Sequence, residues 1–399
     1  MRVCFETFGC RLNRAEALQR EAQFIASGWT TTASHADADL IVVRGCSVTS
    51  RAQRDCEHVI AHIRRKYPNK RIVVEGCLPE AKKPQPFLPA SLSGTDAVPV
   101  STARAYLKIQ DGCNGACTFC IVPQFRGKSV SVPFDEVMDK ARRFIESGYH
   151  EIVITGCNAA QYLDGGARLP RLVASLAELG AQNADAPCRI RLGSVEPGAI
   201  ASEIVDVMSA NPNVCRYLHL PVQSGSTRTL SAMKRPYTIH DVESIVRKAR
   251  ELMPDVAIAC DLMTGFPGES EVDMIATLGV MRRLRFSKAH VFPYSERPDT
   301  PAVKMPHSVP REVRRERAHQ VAAEADAERG RFARSFAGKT VEMVVEDERH
   351  IAGWSSQYLW CVANPDGGAN AHILTAKRKS LVKMRVTSVS GHLLLGDVV

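Results

Sequence analysis

The sequence predicts a multidomain α/β protein: an N-terminal doubly wound α/β domain, a central partial (βα)6 barrel and a small C-terminal β-barrel. Three observations predict it. Short runs rich in β-branched residues alternate with helix-like stretches over most of the chain. A segment rich in Pro, Ser and Ala interrupts the alternation at 79–103. After Gly338 the strand candidates follow one another with no helix between them. With 399 residues, 45% hydrophobic and 24% charged, the chain has globular proportions, which excludes a disordered or collagen-like protein. It is long enough for two or three domains without disulfide staples.

In the first domain, assigned to 1–95, Val3–Thr7, Leu40–Arg44 and Arg71–Glu75 read as strands. Ala15–Ser27 and Gln53–Lys66 read as helices, with apolar positions Ala15, Leu18, Ala22 and Ile25 in one and Val59, Ile60 and Ile63 in the other. Cys10, Cys46 and Cys77 each lie just beyond one of these strands, and Gly9, Gly45 and Gly76 precede them. A parallel sheet gathers its carboxyl ends on one edge, where ligands bind. Three distant thiols therefore converge, with glycines that let the backbone turn closely around a bulky group. Three unrelated buried cysteines are the plainer reading.

In the central domain, assigned to 99–330, the strand candidates are Tyr106–Ile109, Glu151–Thr155, Arg189–Leu192, Arg216–Leu220, Ala257–Leu262 and Lys288–Phe292. Helical stretches between them include Phe134–Ser147, Leu169–Leu179, Ile239–Leu252 and Glu271–Leu284. Successive right-handed βα units curl toward a barrel, and six leave it open. The loops DGCNGACTFC, TGCN, SVEP, PVQSGS, TGFPGE and PYSERPDT all follow strands and so share the face that carries chemistry in such folds. Residues 311–334 are charged and free of proline, as in a helix. The third domain, 335–399, has strand candidates at Thr340–Glu346, Tyr358–Ala363, Leu381–Val389 and Leu393–Val398.

Lys and Arg number 52 against 43 Asp and Glu, a net charge of +9, which suits an anionic partner such as nucleic acid. The first residues lack a basic stretch followed by a long apolar run, so no signal peptide is read. No apolar run is long enough to cross a membrane. The expected location is the cytoplasm, where thiols stay reduced. Thirteen cysteines then point to metal or catalytic use rather than disulfides.

Cys113, Cys117 and Cys120 form C-x3-C-x2-C on the loop after the first barrel strand. Three thiolates at this spacing can ligate three irons of one cubane and leave the fourth iron open. A structural zinc site needs a fourth ligand, which Cys157 would supply, and that reading stays open.

The motif, with Phe119 before its last cysteine, resembles the signature of radical S-adenosylmethionine (SAM) enzymes. TFGCRLN, GCSVT, EGCLPE, LKIQDGCNGACTFCIVPQFRG, ITGCN, SVEP, HLPVQSGS, GFPGE and HVFPYSERPDTPA together resemble the methylthiotransferases of that superfamily over nearly the whole chain. The resemblance implies two 4Fe-4S clusters, one on Cys113, Cys117 and Cys120 and a second on Cys10, Cys46 and Cys77. It implies SAM as methyl donor and radical source, and replacement of C–H by C–S–CH3. It also implies a C-terminal barrel like the family's TRAM domain. TFGCRLN, KIQDGCN and HVFPYSERPDTPA look most like the branch acting on N6-threonylcarbamoyladenosine beside the tRNA anticodon. Sister branches act on isopentenyladenosine or on a ribosomal-protein aspartate. A different class, a non-catalytic RNA-binding protein with structural metal, is the remaining alternative. The expected partners are tRNA, a low-potential electron donor and a sulfur source, for a monomer with no membrane. The chain departs from the family pattern in a shorter Cys77–Cys113 stretch, lacking a strand and helix, and in Cys157 where TGxN usually has an apolar residue.

For SAM, the backbone at Thr155 and Gly156, the side chains of Glu196 and Gln223, and Phe119 near adenine are the candidate contacts. Capping, loop structure or ordinary packing are their alternative roles. Arg126 reads as a phosphate contact or a solvated side chain, and His219 and His290 as satisfied core histidines. The run at 376–385, AKRKSLVKMR, and the group Arg51, Arg54, Arg64, Arg65 and Lys66 suit phosphate binding. Trp354, Tyr358 and Trp360 are candidates for base stacking.

Overall fold

The computed structural model describes residues 1–82, 98, 101–182, 187–364 and 376–399. The expected boundary at 95–99, and most of the Pro-rich run with Pro84, Pro86, Pro89 and Pro99, lie outside the described residues.

The first unit comprises β1 (Arg2–Thr7), α1 (Arg11–Ala26), β2 (Thr30–Thr31), β3 (Leu40–Gly45), α2 (Ser50–Lys66) and β4 (Arg71–Gly76). The strands form one parallel sheet in the order β2-β1-β3-β4. Strand side chains alternate faces, so Val3, Leu40, Val42 and Val73 pack with Phe24 of α1 on one side. Cys4, Ile41, Val43 and Val74 pack with Ile60 and Ile63 of α2 on the other. The sheet is thus doubly wound. The two-residue β2 gives no periodic signal in the sequence.

The central unit begins with β5 (Ala105–Lys108), followed by β6 (Gln110–Asp111), α3 (Val122–Arg126), β7 (Val130–Ser131) and α4 (Phe134–Glu146). Next come β8 (Glu151–Thr155), β9 (Leu163–Asp164), β10 (Ala167–Arg168), α5 (Leu169–Ala181), β11 (Arg189–Arg191) and α6 (Ala199–Ala210). The unit closes with β12 (Tyr217–Gln223), α7 (Thr227–Ala232), α8 (Ile239–Leu252), β13 (Ala257–Thr264), α9 (Glu271–Leu284), β14 (Lys288–Pro293) and α10 (Arg311–Arg334). The six expected strands are all present and parallel, but their ladder is not continuous. They form two three-stranded sheets, β11-β8-β5 and β12-β13-β14, joined by bridges Ile190–Val214 and Ser194–His219. The break falls where β11, only three residues long, gives way to the SVEP loop. The outer strands β5 and β14 do not pair with each other. The N-terminal unit bridges them: α1 packs along β5, while Ser50 bonds Ser295 and Arg297 reaches Ser50 and Gln53.

The last unit is a closed barrel, β15 (Thr340–Asp347), β16 (Ala352–Ser355), β17 (Trp360–Ala363), β18 (Leu381–Ser390) and β19 (Leu393–Val398), in the order β15-β16-β17-β19-β18. Two expectations need correcting. The sequence AGWS of β16 lacks strand composition yet pairs with both β15 and β17. The strand expected from Tyr358 begins only at Trp360, because Tyr358 is left-handed at φ +63°, which no strand accommodates. The barrel is fixed to the central unit by Arg189 and Arg191, whose guanidiniums donate to carbonyls of Glu342, Trp354, Ser355 and Ser356. Both also grip Glu151, which is wholly buried.

Candidate active site

Cys113, Cys117 and Cys120 lie half-buried on the loop between β6 and α3. The Gly115 amide donates to Sγ of Cys113 (3.2 Å) and the Val122 amide to Sγ of Cys120 (3.4 Å). Arg235 donates from Nη1 to Sγ of Cys117 at 2.8 Å. Arg235 also pairs with Glu196 at 2.7 Å. Asn158 donates to Glu196 at 3.0 Å and approaches Sγ of Cys113 at 3.9 Å. A polar chain Cys113–Asn158–Glu196–Arg235–Cys117 therefore connects two of the three thiols. A Cβ at Gly115 would sit 3.2 and 3.7 Å from Sγ of Cys113 and Cys117, so the loop leaves the space over these sulfurs clear.

In the other trio, Cys10 is exposed at the start of α1, and Cys46 and Cys77 are buried. Gly9 has φ +97°, and a Cβ there would come within 2.5 Å of Cβ of Cys46. Gly76, at φ +91°, makes the corresponding turn before Cys77. Gly45 differs from the expectation: its missing Cβ makes room for the Leu78 side chain, not for an open space over the trio.

Burial pushes the thiols of Cys46 and Cys120 up to about 11, and raises Cys77 and Cys117 against the opposing charges of Arg126 and Arg235. Bound cations reverse this preference, because ligation requires the thiolate. Among the described residues, neither trio brings its three sulfurs within 4.8 Å of one another. A tetrahedral zinc with bonds of about 2.3 Å would draw its sulfurs closer than that, whereas a cubane spreads them over three irons. A cubane requires no closer approach than this. Cys157 donates to Asp111 Oδ1 at 3.4 Å, and burial pushes its thiol well above the usual cysteine range.

The remaining sequence candidates are placed as follows. Gln223 is buried and left-handed at φ +68°, and its Oε1 has no hydrogen-bond partner. Thr155 is buried and its carbonyl accepts from the Ile109 amide. Gly156 lies against Gln110, where a Cβ would meet Oε1 at 2.9 Å. Phe119 packs edge-on to Phe266, ring centroids 6.4 Å apart.

Arg126 is neither a phosphate contact nor solvated. Its side chain is 9% exposed and donates to Glu16, Asp111, Asn13 and Sγ of Cys77. His219 is satisfied by Ser194 and Asp261, at 3.0 Å each. His290 is not a core residue; it is exposed, 5.7 Å from the ring of His219. Within the basic run, Arg378 donates to the Ser101 carbonyl, and Lys379 lies 3.6 Å from the centre of the Tyr149 ring. These two dock the barrel, which leaves Lys377, Lys383 and Arg385 exposed. In the second basic group, Arg51 and Arg64 pair with Asp55 and Glu80. Trp354 stacks on Tyr358 at 4.5 Å and meets Trp360 edge-on at 4.9 Å, so this aromatic cluster is engaged with itself. The sequence reading missed Arg235, Asn158, Glu16, Asp111 and Arg11. Of these, Asn158, Asp111 and Arg11 lie within the quoted stretches ITGCN, KIQDGCN and TFGCRLN, whereas Arg235 and Glu16 lie outside every quoted motif.

A cysteine-bearing loop at the carboxyl face of an open six-stranded α/β barrel defines a radical SAM protein. Residues 107–280 match the Radical SAM superfamily, and residues 2–90 match the family described as Uncharacterized protein family UPF0004. The chain is 32% identical over 385 residues to tRNA-2-methylthio-N(6)-dimethylallyladenosine synthase of Chlorobium limicola, covering 86% of each. It is 30% identical to Threonylcarbamoyladenosine tRNA methylthiotransferase MtaB of Chlamydia pneumoniae, covering 98% of this chain and 96% of that protein. The chain belongs to the radical SAM tRNA methylthiotransferases. Among solved structures, the radical SAM methyltransferase TsrM of Kitasatospora setae shares the fold at 14% identity, with a TM-score of 0.55 over 76% of this chain and 74% of that one. No helix among the described residues is long and apolar enough to cross a membrane.

Proposed function

We propose that this enzyme replaces the C2 hydrogen of N6-threonylcarbamoyladenosine, beside the tRNA anticodon, with a methylthio group. The observation that carries the reading is the pair of cysteine trios on adjoining units, tied together by Arg126. In this reading Cys113, Cys117 and Cys120 hold one 4Fe-4S cluster, and Cys10, Cys46 and Cys77 hold a second. The clear space over Gly115 and the amides aimed at sulfur fit such a group. When bound, the central cluster supplies the electron that turns SAM into a hydrogen-abstracting radical.

The chain's own residues do the rest. Glu196, tied to the central trio through Arg235 and Asn158, and Gln223, at the carboxyl end of its strand, orient SAM, with Thr155, Gly156 and Phe119 shaping the space around it. Arg126 holds the N-terminal trio against the barrel. The C-terminal barrel serves as a TRAM-like RNA-binding unit, with Lys377, Lys383 and Arg385 facing tRNA phosphate. The divisions 1–95, 99–330 and 335–399 are the corresponding functional units.

The nucleoside assignment is supported by the motif likeness and by the co-extension of this chain with the MtaB relative. The dimethylallyladenosine enzyme is the second reading, favoured by its slightly higher identity. The cluster assignment is tested by cysteine-to-alanine variants of each trio. Loss of any of Cys113, Cys117 or Cys120 abolishes SAM cleavage. Loss of Cys10, Cys46 or Cys77 stops sulfur insertion while 5′-deoxyadenosine still forms. Normal SAM cleavage in the first set, or full methylthio product in the second, would sink it.

A further inference from the structure

The central barrel has a charged interior layer below the cysteine loop. Leu218, Leu220, Ile258, Cys260 and Leu262 belong to the packed core. The alternate positions Tyr217, His219, Asp261, Lys288 and His290 therefore face the other way, into the barrel. Tyr358 of the C-terminal barrel enters this layer, its ring 4.9 Å from that of Tyr217. Four cations lie within 6 Å of the Tyr358 ring centre: Arg191 at 4.7 Å, Arg11 at 5.1 Å, Arg104 at 5.6 Å and Lys288 at 5.7 Å.

These cations are not equivalent. Arg104 and Arg191 share the carboxylate of Glu151. Arg11 bonds the Leu192 carbonyl, and among the described residues neither Arg11 nor Lys288 pairs with a carboxylate. The acid of this layer, Asp261, is held by His219. Burial, then the charges of Arg329 and Arg11, disfavour the Lys288 ammonium. Half-buried cations without counter-ions are costly, and Arg11 and Lys288 come from two different units to meet here.

We infer that Arg11 and Lys288 form an anion subsite that takes a carboxylate carried on the N6 side chain of the target adenosine. The inference rests on the nucleoside reading above and deepens it. Both cations meet at the Tyr358 ring inside the barrel, and Arg11 directly follows Cys10, so the subsite adjoins the N-terminal trio. Threonylcarbamoyladenosine has such a carboxylate. A dimethylallyl group is neutral and would leave both cations unpaired, which is discrimination by an unmet charge.

The test uses cluster-loaded enzyme and anticodon stem-loops bearing threonylcarbamoyladenosine, its neutral threonine-amide analogue, or plain adenosine. The native enzyme binds the carboxylate form roughly tenfold or more tightly than the amide, a gap typical of one buried charge contact. Lys288→Gln closes that gap, and Lys288→Arg restores most of it. Equal weakening toward all three RNAs would show a phosphate contact and overturn the carboxylate assignment, as would an unchanged gap in Lys288→Gln. The native enzyme's product separates the two failures. Methylthiolation of dimethylallyladenosine alone fails the nucleoside reading and, with it, this one. Methylthiolation of threonylcarbamoyladenosine with an unaltered gap fails only the subsite.

Discussion

Arg126 donates from Nε to Sγ of Cys77 at 3.0 Å, although the two residues belong to different units. Cys77 follows the last strand of the N-terminal sheet, and Arg126 lies six positions after Cys120. The same guanidinium binds Glu16 and Asn13 of α1 and Asp111 beside the central cysteine loop. One side chain thus contacts both trios' surroundings at once. Arg126→Met removes all these bonds and leaves Glu16 poorly exposed with fewer partners. Truncating one partner of such a buried network costs about 3–5 kcal/mol. The expected result is earlier release of the N-terminal unit in limited proteolysis and a fall in bound iron.

Gly9→Ala tests the turn before Cys10. A side chain at φ +97° is strained, and its Cβ would collide with Cys46. Iron and labile sulfide per chain should fall by about half, the share of the second cluster. Ala at Gly28, where φ is +83° but nothing lies within 4 Å, should leave the iron content intact. Equal iron in Gly9→Ala and native enzyme would contradict the placement of the second cluster.

Asp111 gives a pH dependence. Burial pushes its carboxyl pKa up, but Lys108 and Arg126 outweigh burial and hold it down at about 2. A depressed carboxyl stabilises the fold above its unfolded value, near 4, and loses that contribution as pH falls toward 2. Asp111→Asn should therefore melt below native at pH 7, by a difference that shrinks between about pH 4 and 2. A difference that grows on acidification would refute the assignment. Because Asp111 is one-third exposed at its side chain, the effect is modest.

Glu151→Leu tests how the C-terminal barrel is attached. The substitution strips the buried counter-charge from Arg189, Arg191 and Arg104, a loss of several kcal/mol. The two arginines that grip Trp354, Ser355 and Ser356 are then unbalanced. Trypsin should cleave near Lys339 earlier than in the native protein, and tRNA affinity should drop. Unchanged cleavage would place the joint elsewhere.

The sequence displayed what is local. LIVVR and RIVVE can be buried strands and little else, and the C-x3-C-x2-C spacing already limits its chemistry. The convergence of Cys10, Cys46 and Cys77 followed from parallel-sheet geometry alone. The relationships that assemble the site were not legible. Arg126, Arg235 and Arg11 look like any surface arginine until folding places them against Cys77, Cys117 and Tyr358, up to hundreds of positions away. A basic run likewise does not reveal which members, here Arg378 and Lys379, dock a neighbouring unit. Tyr358 was read into a strand because its left-handed backbone is imposed by the joint between barrels, not by its neighbours in sequence.

The most direct test of the whole account is the nucleoside composition of tRNA from cells that lack adenosine methylthiolation and express this chain. The account predicts 2-methylthio-N6-threonylcarbamoyladenosine by mass spectrometry, absent from the same cells without the protein. Methylthio groups on isopentenyladenosine alone, or none at all from protein carrying both clusters, would contradict it.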